Sequence, residues 1–376
     1  MGLFFTKGNS LNSWVKSGLF DREKKIYEFL IERGYVESVL WFTYGKNDDV
    51  LADELKEKKK LHEKIIVVSM PKKYDSKIGQ WFYSFFIVAV HFFKIKKIDV
   101  LKTNQIYGSW APLIIKMIMS KPLMVRCGFV PTRNTNYGIV ELIFLKIIQR
   151  LVFKFADISV VSNHLDHAYI TNKYKLKNVK INPSYVDTSL FFRGSSEDFQ
   201  LADENRFLFV GRLEEIKNII NTIDAVLLTG NSIDIYGSGT LENYIRKKYK
   251  NQILDNKVVI MGSCPNDILA KKLRCYKFYI LISKIEGMSK SLIEAMASGL
   301  ICLVSDIPEN TNMIIDGDTG IVVNGFSVEA IKNKINCISS YDLEYISENC
   351  SKYVVENYNL EVIAKNEIEN INAIIR

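Results

Sequence analysis

Short apolar runs and longer amphipathic stretches alternate along the first half of the chain. The apolar runs are rich in branched and aromatic residues, and they predict strands at 3–8, 38–45, 64–70, 98–104, 122–128 and 157–162. Between them, apolar residues recur at helical spacing, as in the segment 21–34, which ends at Gly34. Strands that alternate with helices are typical of a parallel sheet covered on both faces. The first half is therefore predicted to be one α/β unit.

A segment rich in turn-forming and acidic residues interrupts this pattern at 183–205. A second alternation follows, with strands predicted at 206–211, 232–237, 257–262, 277–283 and 300–306. The sequence therefore predicts two doubly wound, Rossmann-like domains that face each other across a cleft. The predicted boundaries are 1–185 for the first domain, 186–205 for a linker, 206–350 for the second domain and 351–376 for C-terminal helices that pack back toward the first domain.

Composition narrows the class of protein. Apolar residues make up 48% of the chain and charged residues 24%, which is typical of a soluble globular protein. The six cysteines form no CxxC pair, and no Cys/His cluster has the spacing of a zinc site. Because no basic region precedes an apolar stretch near Met1, no signal peptide is predicted. Free thiols in a reducing cytoplasm are therefore expected.

The net charge of +8 is unevenly distributed. Residues 1–190 hold 30 Lys and Arg against 17 Asp and Glu, whereas residues 191–376 hold 20 against 25. A basic half suits a polyanionic surface, although scattered lysines that only keep the chain in solution are the alternative. Nucleic acid is not favoured as the partner, because the sequence has neither a stacking motif nor a basic recognition helix.

The longest apolar run covers 81–93, which is shorter than the roughly 20 residues that cross a bilayer. A buried helix is the simpler interpretation. Lysines flank the run on both sides, and basic residues beside an aromatic-rich helix also suit a membrane surface. An anionic membrane is therefore a candidate partner. The predicted localisation is cytoplasmic, with peripheral attachment to the inner face of the cytoplasmic membrane as the alternative.

The first candidate site is VGRLEEIKN at 210–218. A predicted strand ends at Gly211, and Arg212 and Lys217 follow near the start of the next helix. Two cations at the end of a strand, beside the free N–H groups of a helix N-terminus, suit a diphosphate. Taken alone, a solvated Arg and Lys in a loop would explain the pattern as well.

The second candidate site is EGMSKSLIEAMASG at 286–299, where a helix is predicted from Ser289 to Gly299. Glu286 then lies in the loop before the helix, and Glu294 lies inside it among apolar neighbours. Carboxylates accept hydrogen bonds from vicinal hydroxyls, so a sugar and a ribose are natural ligands for the two residues. The amides near 287–290 would face phosphates. A solvent-facing Glu294 is the alternative interpretation.

The order of these motifs resembles glycosyltransferase family 4, also called group 1, whose members are retaining enzymes with the GT-B fold. The similar elements are, in chain order, VGRLEEIKN at 210–218, YGSG at 236–239, VVIMG at 258–262, the Glu286/Glu294 pair, IPEN at 307–310 and DGDTGIVV at 316–323. Residues 205–325 carry most of the resemblance. The segment 10–23 also looks like the opening of some members.

This resemblance implies roles for individual residues. Arg212 and Lys217 would hold the donor diphosphate, Glu286 would contact the transferred sugar, and Glu294 would bind the ribose. The donor site would also include Gly8, Gly211, Gly262, Gly287, Met288, Ser289 and Lys290. The family needs no metal ion or other cofactor and retains the anomeric configuration. The chain departs from it in one respect: Arg126 and Cys127 stand in the Pro-led strand where many members carry a His that faces the cleft.

Two short patterns imitate other sites. Asp316 and Asp318 spell the DxD of metal-dependent transferases, but DGDTG is predicted to be a turn between helix and strand. Gly237 and Gly239 suggest a dinucleotide-binding loop, but Glu242 stands where GxGxxG needs its third glycine, so NAD is not expected.

The predicted function is transfer of a sugar from a nucleotide-diphosphate sugar, with UDP or GDP as the favoured nucleotide. The acceptor would be a glycan or a lipid-linked intermediate of bacterial surface polysaccharide synthesis. The alternatives are a nucleotide-sugar epimerase or hydrolase of the same fold, and a non-catalytic partner subunit. Retention of both cations and both carboxylates argues against the non-catalytic alternative.

Overall fold

A computed structural model describes residues 1–128, 130 and 138–375. The chain forms two compact units. The first comprises Met1–Pro183 together with the C-terminal segment from Ile363 onward, and the second comprises Ser184–Val362. The polypeptide therefore leaves the first unit once and returns to it near the C-terminus.

Within its described residues, the first unit contains a seven-stranded sheet of order β3-β2-β1-β4-β5-β6-β7. Every neighbouring pair is parallel. The strands are β1 (Gly2–Phe4), β2 (Val39–Phe42), β3 (Ile65–Val68), β4 (Leu101–Thr103), β5 (Leu123–Cys127), β6 (Ile158–Val161) and β7 (Val179–Ile181). The strand order reverses between β1 and β4, which is the position where ligands bind at the carboxyl edge of such sheets.

Helices cover the sheet of the first unit. They are α1 (Leu11–Lys16), α2 (Phe20–Glu32), α3 (Asp48–Glu57), α4 (Lys77–Val90), α5 (Phe92–Lys96), α6 (Trp110–Met119), α7 (Ile139–Phe155) and α8 (His164–Tyr174), with a 3-10 turn at Lys72–Tyr74. Local sequence sets where several of them begin. The Ser76 side chain accepts a hydrogen bond from the Gly79 amide and starts α4, and Asn163 caps α8 in the same way through the Asp166 amide.

The second unit repeats the same strand order over six described strands, β10-β9-β8-β11-β12-β13, again in parallel. The strands are β8 (Asp203–Val210), β9 (Ser232–Tyr236), β10 (Val258–Gly262), β11 (Tyr276–Leu281), β12 (Ile301–Ser305) and β13 (Ile321–Val323). Every residue of β11 and β12 is buried. Such continuous burial is expected of central strands that helices cover on both faces.

The remaining helices are α9 (Ser196–Leu201), α10 (Ile219–Leu228), α11 (Glu242–Lys248), α12 (Lys250–Leu254), α13 (Asn266–Leu273), α14 (Lys290–Ala297), α15 (Pro308–Thr311), α16 (Val328–Asn336), α17 (Leu343–Tyr358) and α18 (Leu360–Asn372), with 3-10 turns at Glu215–Lys217 and Ile338–Ser340. The side chain of Ser289 caps α14, and Gly299 follows the helix with a φ of +75°. A left-handed glycine after a helix satisfies its last carbonyls without strain.

The segment 186–205, predicted to be a linker, carries secondary structure in the second unit. It contains α9 and the start of β8, and Val186 forms a parallel bridge with Asn359. The serine and acid that favoured a linker form a capping box, in which Ser195 and Asp198 satisfy each other's amides. Local turn chemistry therefore marks a helix start here, whereas the change of unit falls earlier, between Pro183 and Ser184.

The C-terminal segment, predicted as helices over 351–376, is divided between the units. Residues up to 362 belong to the second unit, whereas the rest of α18 belongs to the first; Arg376 lies outside the described residues. In the first unit Glu367 forms a buried ion pair with Lys102, and Asn182 donates a hydrogen bond to the Ile363 carbonyl at 3.2 Å. The end of the chain is therefore part of the first unit's fold.

The apolar run 81–93 forms most of α4 and the start of α5, and it is buried on one face only. Tyr83, Ile87 and Val88 are buried, whereas Phe82 is 57% exposed and Phe86 is 55% exposed. The expectation of a buried helix is therefore correct for only half of its surface. Across the described residues, no helix combines the length and the apolar character needed to cross a bilayer.

Candidate functional site

The two predicted motifs of the second unit meet at the carboxyl edge of its sheet. β8 and β11 are neighbours, and the loops that follow them contain 211–218 and 282–289. The Lys284 amide donates a 2.8 Å hydrogen bond to the Ile216 carbonyl and joins the two loops. The parallel register thus brings together residues that are about 70 positions apart in sequence.

Lys217 and Glu286 form the centre of this edge. The Lys217 Nζ atom lies 2.5 Å from Glu286 Oε1, and the two side chains are only 12% and 8% exposed. Asn218 follows Lys217 in the left-handed region, with a φ of +52°, and its side chain donates to the Phe326 carbonyl at 2.8 Å. A paired ammonium and carboxylate can offer one charge to a phosphate and the other to hydroxyl groups.

Arg212 is placed differently. Its side chain is 72% exposed, and its guanidinium contacts Glu214 Oε1 at 2.9 Å. The structure therefore brings Lys217 and Glu286 together but leaves the Arg212 side chain in solvent. Exposed ion pairs of this kind contribute only about 0–1 kcal/mol, so the guanidinium can exchange Glu214 for an anionic ligand at little cost.

The start of α14 is fixed by hydroxyl groups next to the end of β8. Ser291 Oγ donates to the Val210 carbonyl at 2.9 Å and lies 2.9 Å from the Tyr279 hydroxyl. Burial raises the pKa of Tyr279 well above its usual range, so the phenol stays protonated at neutral pH. Neither residue was among the predicted site residues. The sequence feature that could have indicated them is Ser291 itself, a second serine two positions after the Ser289 cap.

The second carboxylate, Glu294, lies in the second turn of α14 and is only 6% exposed. It is surrounded in sequence by buried residues, Leu292, Ile293, Ala295 and Met296 among them. The alternative of a solvent-facing Glu294 is therefore wrong. Buried carboxylates are rare unless they are paired or serve a ligand.

The glycines of the YGSG turn allow three loops to pack closely. A Cβ atom on Gly237 would lie 1.9 Å from the Gly211 carbonyl oxygen, and the Gly237 amide donates to the Gly262 carbonyl at 2.8 Å. Gly262 itself has a φ of +73°. Glycine at 237 is therefore required by contact with the loop after β8. That steric role explains the YGSG pattern without a dinucleotide.

Of the other predicted donor residues, four lie together at the start of α14, and Gly8 lies in the first unit. Gly287 and Met288 are in the loop before α14, Ser289 caps it, and Lys290 is its first residue. The Ser184 amide donates to the Met288 sulfur at 3.2 Å. Gly8 belongs to the first unit, in the turn after β1, and has a φ of +86°.

The two aspartates of DGDTG hold a turn, as the sequence predicts. Asp316 accepts a 2.7 Å hydrogen bond from the Val322 amide and contacts Lys334. Asp318 accepts from the Asn349 side chain at 2.8 Å. Both carboxylates therefore have partners within the second unit. Among the residues that the structure describes, no group of three acidic, His or Cys side chains could hold a metal ion.

Arg126 and Cys127, which stand where the family often has a histidine, take structural positions in the first unit. Arg126 donates to the Pro183 carbonyl at 3.1 Å and lies 3.9 Å from Glu367. Cys127 is fully buried. Their surroundings explain both residues without a ligand.

The chain is similar to known glycosyltransferases in sequence and in fold. Residues 195–357 match the family described as glycosyl transferases group 1. A GDP-mannose:cellobiosyl-diphosphopolyprenol alpha-mannosyltransferase from Xanthomonas oryzae pv. oryzae is 24% identical over 174 residues, which cover 40% of this chain and 44% of that protein. The chain thus spans less than half the length of this relative.

A longer match is found with a transferase from Campylobacter jejuni subsp. jejuni, the GalNAc-alpha-(1->4)-GalNAc-alpha-(1->3)-diNAcBac-PP-undecaprenol alpha-1,4-N-acetyl-D-galactosaminyltransferase. It is 24% identical over 311 residues, which cover 79% of this chain and 80% of that protein. Among solved structures, Anabaena Alr3699/HepE in complex with UDP and glucose shares the fold, with a TM-score of 0.74, 16% identity and 99% coverage of each chain.

Two parallel, doubly wound units and the likeness to the Anabaena structure define the class by fold: the protein has the GT-B fold. Within that fold, residues 195–357 resemble the glycosyl transferases group 1 family.

Proposed function

We propose that this chain transfers a hexose from a nucleotide-diphosphate sugar to a lipid-linked glycan intermediate of bacterial surface polysaccharide synthesis. The observation that carries the proposal is the Lys217–Glu286 pair, 2.5 Å apart and largely buried at the carboxyl edge of the sheet in the family-matching segment. A buried cation beside a carboxylate suits a ligand that carries both phosphates and hydroxyls.

The candidate site residues of the second unit then each have a role in holding the donor. Lys217 and Arg212 bind the diphosphate, with the amides at the start of α14 as additional donors. Glu286 accepts hydrogen bonds from hydroxyls of the transferred sugar. Glu294, which is buried inside α14, accepts from the ribose. Ser291 and Tyr279 keep the helix start in register with the end of β8.

The proposed reaction retains the anomeric configuration. The bond between the anomeric carbon and the diphosphate oxygen breaks, and the acceptor hydroxyl forms a new bond to that carbon on the same face. The acceptor proton passes to an oxygen of the leaving diphosphate, so that atoms and charges balance. Lys217 and Arg212 stabilise the charge that develops on the diphosphate, which is the main contribution of the protein to the rate.

We propose that no metal ion takes part, since cationic side chains take the role that a metal has in other transferases. Transfer should therefore continue in EDTA at the rate found without it. Assays with EDTA, and with added magnesium or manganese, check this expectation. Loss of activity in EDTA that either ion restores would contradict it.

The donor is proposed to be a UDP- or GDP-sugar. A protein with the same fold is known in complex with UDP and glucose, and the Xanthomonas relative is named for GDP-mannose. The acceptor is proposed from the same kind of support, because that relative and the Campylobacter relative are both named for lipid-diphosphate substrates.

We also propose that the first unit binds an anionic membrane surface from the cytoplasmic side. Helices α4 and α5 expose Ile78, Phe82, Phe85, Phe86, Phe92 and Phe93, and α7 exposes Ile139, Val140, Ile143 and Ile147. We call this set the apolar surface of the first unit. Exposed lysines lie near it, including Lys73, Lys77, Lys94, Lys96 and Lys97. Aromatic residues beside lysines are typical of helices that lie in a membrane interface.

Thermal-shift measurements with UDP-, GDP-, ADP- and CMP-sugars test the donor proposal, followed by transfer assays on an isolated lipid-diphosphate acceptor. A nucleotide sugar at 100 times its dissociation constant should stabilise the protein by about 2.7 kcal/mol. Donor turnover that needs no acceptor would favour an epimerase or hydrolase. Absence of stabilisation by every nucleotide sugar would contradict the proposal.

A further inference from the structure

Lys7 occupies the carboxyl edge of the first sheet, directly after β1 and at the position where the strand order reverses. Its amide donates to the Tyr107 carbonyl at 3.3 Å. Gly108 permits this approach, because a Cβ atom there would lie 2.7 Å from the Lys7 amide nitrogen. The backbone of Lys7 is therefore fixed by the loop that follows β4.

The Lys7 side chain lies over aromatic rings. Its Nζ atom is 4.2 Å from the Trp81 ring centroid and 5.8 Å from that of Tyr107. Trp81 in turn stacks on Trp110, with the ring centroids 5.3 Å apart and the planes 6° from parallel. The ammonium group therefore makes cation–π contacts with a cluster of stacked aromatic rings.

Lys7 has no acidic partner among the described residues, in contrast to three other lysines that are shielded from solvent. Lys102 pairs with Glu367, Lys116 with Asp157 at 2.6 Å and Lys217 with Glu286 at 2.5 Å. Burial lowers the pKa of Lys7, and no neighbouring carboxylate opposes the shift. A positioned cation without a counter-charge, at the edge where ligands bind in this type of sheet, is available to an anionic ligand.

The surroundings of Trp81 indicate the chemistry of that ligand. Trp81 belongs to α4, whose exposed residues Phe82, Phe85 and Phe86 form part of the apolar surface of the first unit. Phe85 stacks beside Trp81, with the ring centroids 6.2 Å apart. An anion with an attached apolar chain could therefore contact Lys7 and this row of aromatic residues together.

We propose that Lys7 binds the diphosphate group of a lipid-linked acceptor, while the lipid chain lies along the exposed face of α4. The inference rests on the lipid-linked acceptor of the proposed function. The rings of Trp81 and Tyr107 exclude water from one side of the ammonium group and strengthen its attraction for the diphosphate. Lys7 is then the residue that positions the acceptor in the first unit.

Tryptophan fluorescence provides a direct test, because all four tryptophans, Trp14, Trp41, Trp81 and Trp110, belong to the first unit. Farnesyl diphosphate, below its micelle concentration, should change the emission saturably in the wild-type protein. Lys7→Ala should weaken this binding at least tenfold, and Lys7→Arg should preserve most of it. Farnesol and inorganic pyrophosphate should each bind more weakly than farnesyl diphosphate.

Lys173→Ala is the matched control. Lys173 also lies over two rings, 4.6 Å from Tyr169 and 5.7 Å from Tyr174, but on α8. This variant should bind farnesyl diphosphate as the wild type does. Equal binding by wild type and Lys7→Ala would overturn the proposal. Equal affinity for pyrophosphate and farnesyl diphosphate would overturn the lipid part and indicate a free-phosphate site.

Two further measurements separate this inference from the proposed function. Thermal unfolding of Lys7→Ala checks that the variant folds; if it does not, Lys7→Gln and Lys7→Arg give the comparison. Stabilisation by the donor nucleotide depends on the second unit and should be unchanged in every Lys7 variant. If no nucleotide sugar stabilises even the wild type, the donor proposal fails, and the farnesyl diphosphate titration still decides the role of Lys7.

Discussion

The two sheets share the strand order that begins 3-2-1-4, yet they differ in what they present at their carboxyl edges and on their helices. The second sheet ends in a paired ammonium and carboxylate, Lys217 and Glu286. The first ends in Lys7, which lies over Trp81 and pairs with no acid among the described residues. We propose that the Lys217–Glu286 edge binds a ligand with both phosphates and hydroxyls, and that the Lys7 edge binds the anionic group of a lipid-linked ligand.

The helices show a related difference. In the first unit, the exposed large apolar residues are concentrated on α4, α5 and α7. In the second unit they occur singly, as at Leu228, Leu254 and Ile268. Single exposed apolar residues are normal on protein surfaces and need no ligand to explain them. The same strand order thus carries two different distributions of exposed apolar residues on the covering helices.

The largest expected effect is on the free energy of unfolding, and it concerns the C-terminal residues that pack into the first unit. Glu367→Ala should destabilise the protein by about 3–5 kcal/mol, because it leaves the Lys102 charge buried without its partner. Urea unfolding followed by tryptophan fluorescence reports on this unit. Replacing both partners, as Lys102→Met with Glu367→Leu, should recover most of the loss. A cost below 1 kcal/mol for the single variant would contradict the prediction.

The next effect concerns the charged edge of the second unit. Lys217→Ala should raise the activation free energy of transfer by about 2–4 kcal/mol and so slow the reaction, because a cation beside the developing diphosphate charge is lost. Arg212→Ala should lower it as well, with the fold unchanged. Lys248→Ala is the control, since Lys248 pairs with Asp224 at 2.7 Å elsewhere on the same unit. Normal kcat in both site variants would remove these cations from the mechanism.

A smaller effect separates the two carboxylates of the second unit. Glu294→Gln should weaken binding of the free nucleotide by about 1–3 kcal/mol, because hydrogen bonds to a charged group are lost. Glu286→Gln should lower turnover more than it weakens nucleotide binding. Calorimetric titration with the nucleotide and steady-state kinetics distinguish the two. Unchanged nucleotide affinity in Glu294→Gln would show that the ribose role is wrong.

Much of the second unit could be predicted from the sequence, because its signals are local. The alternation of strands and helices, the Ser289 start of α14 and the glycine after it are all short-range patterns. The hydrogen bond between the loops at Lys284 and Ile216 was not predictable. It depends on the pairing of β8 with β11, two strands that are separated in the sequence by β9 and β10.

The first unit shows where sequence reasoning fails. The run 81–93 is apolar at almost every position, so it has no periodicity to show which side of α4 faces the sheet. The ion pair between Lys102 and Glu367 joins residues 265 positions apart. Lys7 was not among the predicted site residues, because its surroundings depend on Trp81, which lies on α4 and far from Lys7 in the sequence. Long-range packing, rather than local propensity, decides each of these features.

The last prediction tests the contrast between the two surfaces. If the apolar surface of the first unit meets a membrane, the protein should sediment with vesicles that contain anionic lipid, and binding should fall as salt is raised. Each lysine near an anionic leaflet contributes about 1 kcal/mol, so three or four that face one way are sufficient to hold the protein at the surface.

Phe82→Ser with Phe86→Ser should reduce binding because both side chains are exposed on α4. Leu228→Ser with Leu254→Ser removes comparable exposed residues from the second unit and should leave binding unchanged. A protein that stays in the supernatant with anionic vesicles at low salt would contradict the membrane proposal. Binding that both double variants lose equally would show that the two units do not differ in the way proposed.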